Sequence, residues 1–238
     1  MGILNKEYVV SQLKKHIESE IFELLHDFNC IVAGGVFTSI LTNKEVNDID
    51  VYFKDREDFI NVLKEIKSSY VEWTDDGVLS TGSEYLGEYD LMYLGHTDKS
   101  ITFKQKNSDV LIQFIHQDFY EKPKHIFNDV DFTINMFAYD LKRDKLVHHK
   151  DAMQHLAQRV LITNGGTKFP MISILRVDKY EQRGYSISKK EMMKLILSVN
   201  DLCIDSYEDV LKHMGGMYSL NMSKIFNQDE PFSIVDCI

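Results

Sequence analysis

Two carboxylates and a glycine pair are the residues best suited to chemistry. The stretch 31–53 reads IVAGGVFTSILTNKEVNDIDVYF. Gly34-Gly35 closes a short apolar run, and Asp48-Ile49-Asp50 follows after twelve residues, inside a β-branched and aromatic run. Alternate residues of a strand point to one face, so Asp48 and Asp50 project together with Cα atoms roughly 6.5 Å apart. Oxygens so placed hold one or two Mg²⁺ (or Mn²⁺) ions, and a two-metal site stabilises both the attacking and leaving oxygens of an in-line phosphoryl displacement. Mg²⁺ prefers a few carboxylates plus substrate phosphate oxygens to a full protein cage. Glycine lets a triphosphate approach backbone N–H groups, and Thr38 and Ser39 bring hydroxyls one turn later. An isolated acid–apolar–acid triplet is usually a solvated surface strand, and a lone Gly-Gly a tight turn. The two in this order and spacing form a more specific pattern.

The elements that must position them can be read from periodicity. Val9, Val10, Leu13, Ile17, Ile21, Leu24, Leu25 and Phe28 recur at helical spacing, predicting one amphipathic helix over 5–28. Residues 30–33 read as a short buried strand, and a helix opens at the glycines and runs to about Leu41. A second strand spans 48–53, followed by a helix over 55–67 with Phe59, Val62, Leu63 and Ile66 on one face. From 70 to 115 the pattern is mostly β, with strands at 70–74, 89–94, 100–104 and 110–115 punctuated by Gly77, Gly82, Gly87 and Gly95. Helical segments flank Pro123. A strand pair covers 136–140 and 145–148, and a helix covers 151–156. Asn164-Gly165-Gly166 marks a turn. Beyond Pro170 the chain reads as helices, first over about 172–184, then over 189–199, 207–213 and 220–226. The predicted organisation is an α+β head over residues 1–166, a mixed β-sheet flanked by helices, and a small helical domain over 167–238.

The bulk numbers bound the rest. The chain has 238 residues, 44 % hydrophobic and 27 % charged, ordinary for a soluble globular protein. Cys30, Cys203 and Cys237 have no CxxC spacing, which points to neither disulfides nor zinc and fits a reducing cytoplasm. No signal-peptide core or long apolar run appears, which speaks against a membrane partner. A net charge of −10 counts against long duplex DNA, whose binding depends on phosphate contacts. Small nucleotides carried with Mg²⁺, an RNA end or a protein acceptor remain compatible with it. The oligomeric state is left open by the sequence. His148-His149 and Cys237 lack metal-ligand spacing and read as structural.

Ala33-Gly34-Gly35 with Asp48-Ile49-Asp50-Val51 resembles the signature of the DNA polymerase β nucleotidyltransferase superfamily. Asp131–Asp140, DFTINMFAYD, resembles a characteristic head segment of bacterial-type CCA-adding enzymes and poly(A) polymerases. The stretch 174–187, ILRVDKYEQRGYSI, is similar to the first neck helix of those enzymes. The three matches fall in the family's order and cover roughly residues 30–190, as in compact nucleotidyltransferase-like proteins of bacteria and their phages. The resemblance implies metal-dependent transfer of a nucleoside monophosphate from an NTP to an RNA 3′ end or another hydroxyl. Asp48 and Asp50 would hold the metal and be catalytic, and Gly34 and Gly35 would cradle the triphosphate with Thr38 or Ser39. Asp131 and Asn135 would contact the sugar; the alternative from the residues alone is a helix cap and a turn residue. Arg176 and Lys179 share a helix face at i, i+3 and match basic neck positions, against a solvated helix surface. Lys44, Lys54, Arg56 and Arg183 are further cations that could neutralise phosphate.

The departures are as specific as the matches. Thr38 and Ser39 stand where an Arg-Asp pair follows the glycines in CCA-adding enzymes, and Asp129-Val130 where Arg-Arg precedes the middle Asp. The neck motif that selects C or A is replaced by Phe169-Pro170-Met171-Ile172-Ser173, which argues against CCA addition. Gln113 occupies the middle of the 110–115 strand, where a third acid is common; Asp90 or Asp131 could assist in its place. Two other readings follow: a catalytically silent fold serving as a binding or assembly module, and a protein-modifying (NMPylating) enzyme.

Overall fold

The computed structural model describes residues 4–66, 85–86, 89–97, 99–165 and 167–213. Among these, the order is α1 (Lys6–Leu13), α2 (Ser19–Asp27), β1 (Ile31–Ala33), α3 (Gly35–Leu41), β2 (Asp48–Tyr52) and α4 (Arg56–Ile66). There follow β3 (Tyr85–Leu86), β4 (Leu91–His96), β5 (Ser100–Gln105), β6 (Leu111–Ile115), β7 (Phe137–Asp140), β8 (Lys145–His148) and α5 (Ala152–Gln158). The chain ends in β9 (Val160–Leu161), α6 (Pro170–Gln182), β10 (Ser186–Ile187), α7 (Lys189–Asn200) and α8 (Tyr207–His213). The strand expected at 70–74, the glycines 77, 82, 87 and 166, the helix expected at 220–226 and Cys237 lie outside the described residues.

Eight strands form one mixed sheet in the order β3-β4-β5-β6-β2-β1-β7-β8. Among its described strands, the β2–β6 pair alone is parallel, with Asp50 beside Gln113 and Tyr52 beside Ile115. The alternation of DIDVY assigns the faces. Ile49 and Val51 are fully buried in the main core, with Val9, Leu13, Leu25, Phe37 and Val62 from the helices on that side. Asp48, Asp50 and Tyr52 point the other way. Near their end of that opposite face, a smaller core of Ile31, Ala33, Tyr120, Ile126 and Met136 packs beneath a 3₁₀ turn at Pro123–Asn128. A third cluster joins Phe132, Ile134, Leu156 and Leu161 to Val177, Tyr180, Tyr185 and Leu195 of α6, α7 and the loop between them. That cluster seats α6 against the head.

Three local expectations change. The helix expected over 5–28 is two helices, because a distant side chain claims the backbone between them. Gln105, fully buried on β5, donates from Nε2 to His16 O and accepts from Glu18 N–H, both at 2.9 Å. Helices were expected on both sides of Pro123. Only the 3₁₀ turn that begins at Pro123 forms; the preceding stretch is irregular, with Tyr120 N–H donating to Phe53 O. The two-residue strands β9 and β10, which pair in parallel, are too short to leave a periodic signal.

One buried ion pair locks the far edge of the head. Asp140 is 1 % exposed and its carboxylate meets Lys54 Nζ at 3.3 Å and Arg143 Nη1 at 3.0 Å. Burial alone would raise its pKa, but the Arg143 backbone N–H, the guanidinium and Lys54 outweigh it and hold it below the ordinary carboxylate value. Its stabilisation is therefore present above that ordinary value and lost as pH falls through the depressed one. Asp140→Ala strands part-buried Lys54, and thermal or urea unfolding should show a loss of about 3 kcal/mol at neutral pH that narrows in acid.

Candidate active site

A cavity of about 340 Å³ lies between the polar face of the sheet and α6. Its floor is Asp48 and Asp50 on β2 with Gln113 beside them on β6, and Gly34 and Gly35 form one rim. Gly34 is at φ +90°, a conformation that glycine adopts freely, and a Cβ there would come within 3.2 Å of Asp50 Oδ2. Backbone shape and carboxylate position are thus fixed by one residue. Gly34→Ala should lower stability by about 1–2 kcal/mol and displace the Asp50 carboxylate; unfolding curves and Mn²⁺ binding would check both effects.

The roof is α6. Arg176 is felt by Tyr52 and Asp50, and Lys179 by Asp50 and Asp48. Arg176 and Lys179 both lie on α6 and line the cavity. Arg183, just past the end of α6, lines the same cavity. Asp50 is pushed up to about 7 by burial first and by the Asp48 charge second, against the opposing pull of Arg176 and Lys179. Lys179 is lowered, chiefly by burial, with Asp48 partly restoring it. The floor holds more negative charge than its neighbours neutralise.

Two carboxylates and an amide oxygen are hard donors, the type that Mg²⁺ and Mn²⁺ take. Among the described residues, no group of three or more His, Cys, Asp or Glu converges to make a complete cage. The donor set alone suits a cation that completes its shell with substrate phosphates.

The sequence-predicted residues separate into two sets. Ser39, Asp131, Asn135, Arg176 and Lys179 line the cavity with the glycines and the acid pair. Thr38 does not line it; it is 2 % exposed, and its hydroxyl lies 2.6 Å from Ile134 O and 2.8 Å from Asn135 Oδ1. Asp131 Oδ2 accepts from Arg176 Nη1 at 2.8 Å, and Oδ1 accepts from the Phe132 N–H. The Tyr180 hydroxyl sits between the amide oxygen and nitrogen of Asn135, at 2.9 and 2.7 Å. This network ties α3 and α6 to the 3₁₀ turn Thr133–Asn135. Of the other cations, Arg183 lines the cavity, whereas Lys44, Lys54 and Arg56 do not. Asp90 pairs with Lys106 at 3.0 Å, outside the cavity. Tyr52, Tyr120, Lys99 and Lys168 also line it and carry no motif that sequence reading could have flagged.

Residues 4–159 match the Gabija anti-defense 2 family. The chain belongs to that family. One relative, Gabija anti-defense 2 of Bacillus phage SPbetaL7, is 34 % identical over 237 residues, covering 99 % of this chain and 54 % of the relative. The chain thus spans about half the length of that member of the Gabija anti-defense 2 family. Among solved structures, a CCA-adding enzyme in complex with ATP superposes with a TM-score of 0.57 at 17 % identity, covering 100 % of this chain and 60 % of that one. The Thermotoga maritima CCA-adding enzyme complexed with tRNA gives 0.55 at 18 % identity, covering 100 % and 59 %. A complex with CTP gives 0.55 at 17 %, covering 92 % and 50 %. This member of the Gabija anti-defense 2 family therefore has a nucleotidyltransferase-like fold, resembling the head of CCA-adding enzymes. Among the described residues, no helix is long and apolar enough to cross a membrane.

Proposed function

We propose that the chain is a metal-dependent nucleotidyltransferase that moves a nucleoside monophosphate from an NTP to a hydroxyl acceptor and releases pyrophosphate. The observation that carries this reading is one cavity lined by the acid pair and by three cations, Arg176 and Lys179 on α6 and Arg183 just past its end. Asp48 and Asp50, with the Gln113 amide oxygen beside them, would hold Mg²⁺ or Mn²⁺. Bound there, the cation would neutralise phosphate charge and align the displacement. Arg176, Lys179 and Arg183 meet the triphosphate from above, and the Gly34-Gly35 backbone meets it from the rim. Ser39 adds a hydroxyl, while Thr38 acts through Asn135 by fixing its amide. Asp131 and Asn135 border the sugar. The acceptor oxygen bonds to the α-phosphorus, the bond from phosphorus to the pyrophosphate oxygen breaks, and the hydroxyl proton leaves to water.

The neighbours captured with ATP, CTP and tRNA support an NTP and an RNA 3′ end as partners. The name of the phage relative supports a target inside a bacterial defence system, which makes a protein hydroxyl the other acceptor to test. Purified chain with Mg²⁺ and α-labelled NTPs should transfer label to RNA or to protein; transfer to neither under any NTP removes the proposal.

A second reading is favoured by Gln113 at the third acid's position and by the Asp131–Arg176 pair inside the site. It is a silent fold used for binding or assembly. Calorimetry separates the two: Mg²⁺-dependent NTP binding supports the enzyme, and binding that ignores Mg²⁺ or is absent supports the silent module.

A further inference from the structure

The cavity has a second end, away from the acid pair. Because β2 and β6 are parallel, Tyr52 and Ile115 are neighbours, roughly 13 Å along the strand from Asp48. The chain beyond Ile115 carries Asp118 and Tyr120 to that end, where the rings of Tyr120 and Tyr52 pack edge to face at 5.7 Å. Opposite, Phe169 precedes α6, with Lys99 Nζ over its ring at 3.7 Å. Lys168 bridges two acids, reaching Asp118 Oδ2 at 2.7 Å and Asp129 Oδ1 at 3.1 Å. The other oxygen of Asp129 accepts from the Tyr120 hydroxyl. All of these residues line the same cavity as Asp48 and Asp50.

This set retains unused capacity. An ammonium has three donors, and two of those of Lys168 are engaged. Asp118 Oδ1 has no hydrogen-bond partner among the described residues, and the Asp118 and Lys168 side chains are 40 % and 38 % exposed. Aromatic surface beside them suits a flat base. On the nucleotidyltransferase reading, a nucleotide whose phosphates lie under Arg176 and Lys179 would extend its base along the cavity toward this end.

We propose that Asp118 and Lys168, the lysine held in place by Asp129, read the base of the incoming nucleotide and select guanine. The inference rests on the nucleotidyltransferase reading above. Guanine carries N1–H and N2–H₂ side by side next to the O6 acceptor. A carboxylate accepts the two donors together while the third ammonium proton meets O6. Adenine turns an N1 lone pair toward the carboxylate and offers one amino group, and uracil offers one N–H between two carbonyls. Cytosine has one amino group beside two acceptors. Each leaves an acidic oxygen unmatched, and that mismatch is what rejects it.

The test is calorimetry on the full chain with Mg²⁺ and, in turn, GTP, ATP, CTP, UTP and ITP. GTP should bind about ten-fold or more tightly than the other three common nucleotides, and ITP, which lacks the 2-amino group, should fall between them. Asp118→Asn should remove the preference for GTP, with GTP weakened and ATP tightened because an amide donor replaces the oxygen that opposes adenine N1; Asp118→Glu should retain it. Equal affinity for all four nucleotides overturns guanine selection and leaves the nucleotidyltransferase reading standing. An Asp118→Asn variant that weakens every nucleotide alike also overturns it, since a merely structural role has that signature. Absence of binding by any nucleotide overturns both.

Discussion

Asp48→Asn and Asp50→Asn are each expected to reduce nucleotide transfer on the order of 10³-fold while the chain stays folded. An amide retains the size of the carboxylate and removes the charge, so loss of transfer reports on the cation and not on packing. The stability readout has the opposite sign at Asp50. Its carboxyl is pushed up to about 7 from 3.8, so the folded chain holds that proton more tightly than the unfolded chain. Its contribution to stability is complete below the unfolded value and is lost as pH rises through about 7. In EDTA at about pH 8, Asp50→Asn should therefore melt several degrees above wild type, with the gap closing in acid. Mg²⁺ should raise the wild-type melting temperature and not that of Asp50→Asn, because a cation relieves the same repulsion. A variant that melts lower than wild type in EDTA would show that the Asp50 charge is already balanced. Full transfer activity in the double Asp48→Asn, Asp50→Asn chain would sink the mechanism.

The parts of the site legible in the sequence are those carried by local geometry. DIDVY is a strand with one acidic face because alternation is a property of five consecutive residues, and β2 places the acids as that pattern requires. Gly34-Gly35 marks a backbone conformation that glycine adopts without strain, and the rim is found there. Gln113 could be named as the missing acid's position because its strand was readable, and it lies beside Asp50. What was not legible depends on partners far apart in the chain. Thr38 looks like a phosphate contact beside the glycines, yet its hydroxyl is taken by Ile134 and Asn135, almost a hundred residues away. The break between α1 and α2 is set by Gln105, which no periodicity in residues 5–28 reveals. Lys168 sits in a loop with no motif, and its ion pairs appear only once Asp118 and Asp129 are brought to it. Local pattern located the acid pair and the rim. Tertiary contact decided which hydroxyls and cations surround them.

Arg176 is where the two levels meet, and Arg176→Met is expected to affect both stability and binding. Asp131 is 3 % exposed, with its Oδ2 held by the guanidinium at 2.8 Å. Burial would lower the Arg176 pKa, but Asp131 more than reverses this and holds it well above its ordinary value. Removing the guanidinium leaves a buried carboxylate without its cation. Losses for breaking such pairs reach 3–5 kcal/mol, and the part-exposed arginine places this one at about 2–3 kcal/mol. Asp131→Asn in the same chain removes the stranded charge, so the double variant should recover most of that stability. On the nucleotidyltransferase reading, nucleotide affinity should not recover with it, because Arg176 lines the cavity with Asp50 and would be one of the charges that meet phosphate. If affinity returns together with stability, Arg176 is a strut between α6 and the head and nothing more. If the double variant remains as unstable as Arg176→Met, charge pairing is not what Asp131 requires. The expected split, stability restored and binding still lost, would show one arginine both seating the helix and meeting the substrate.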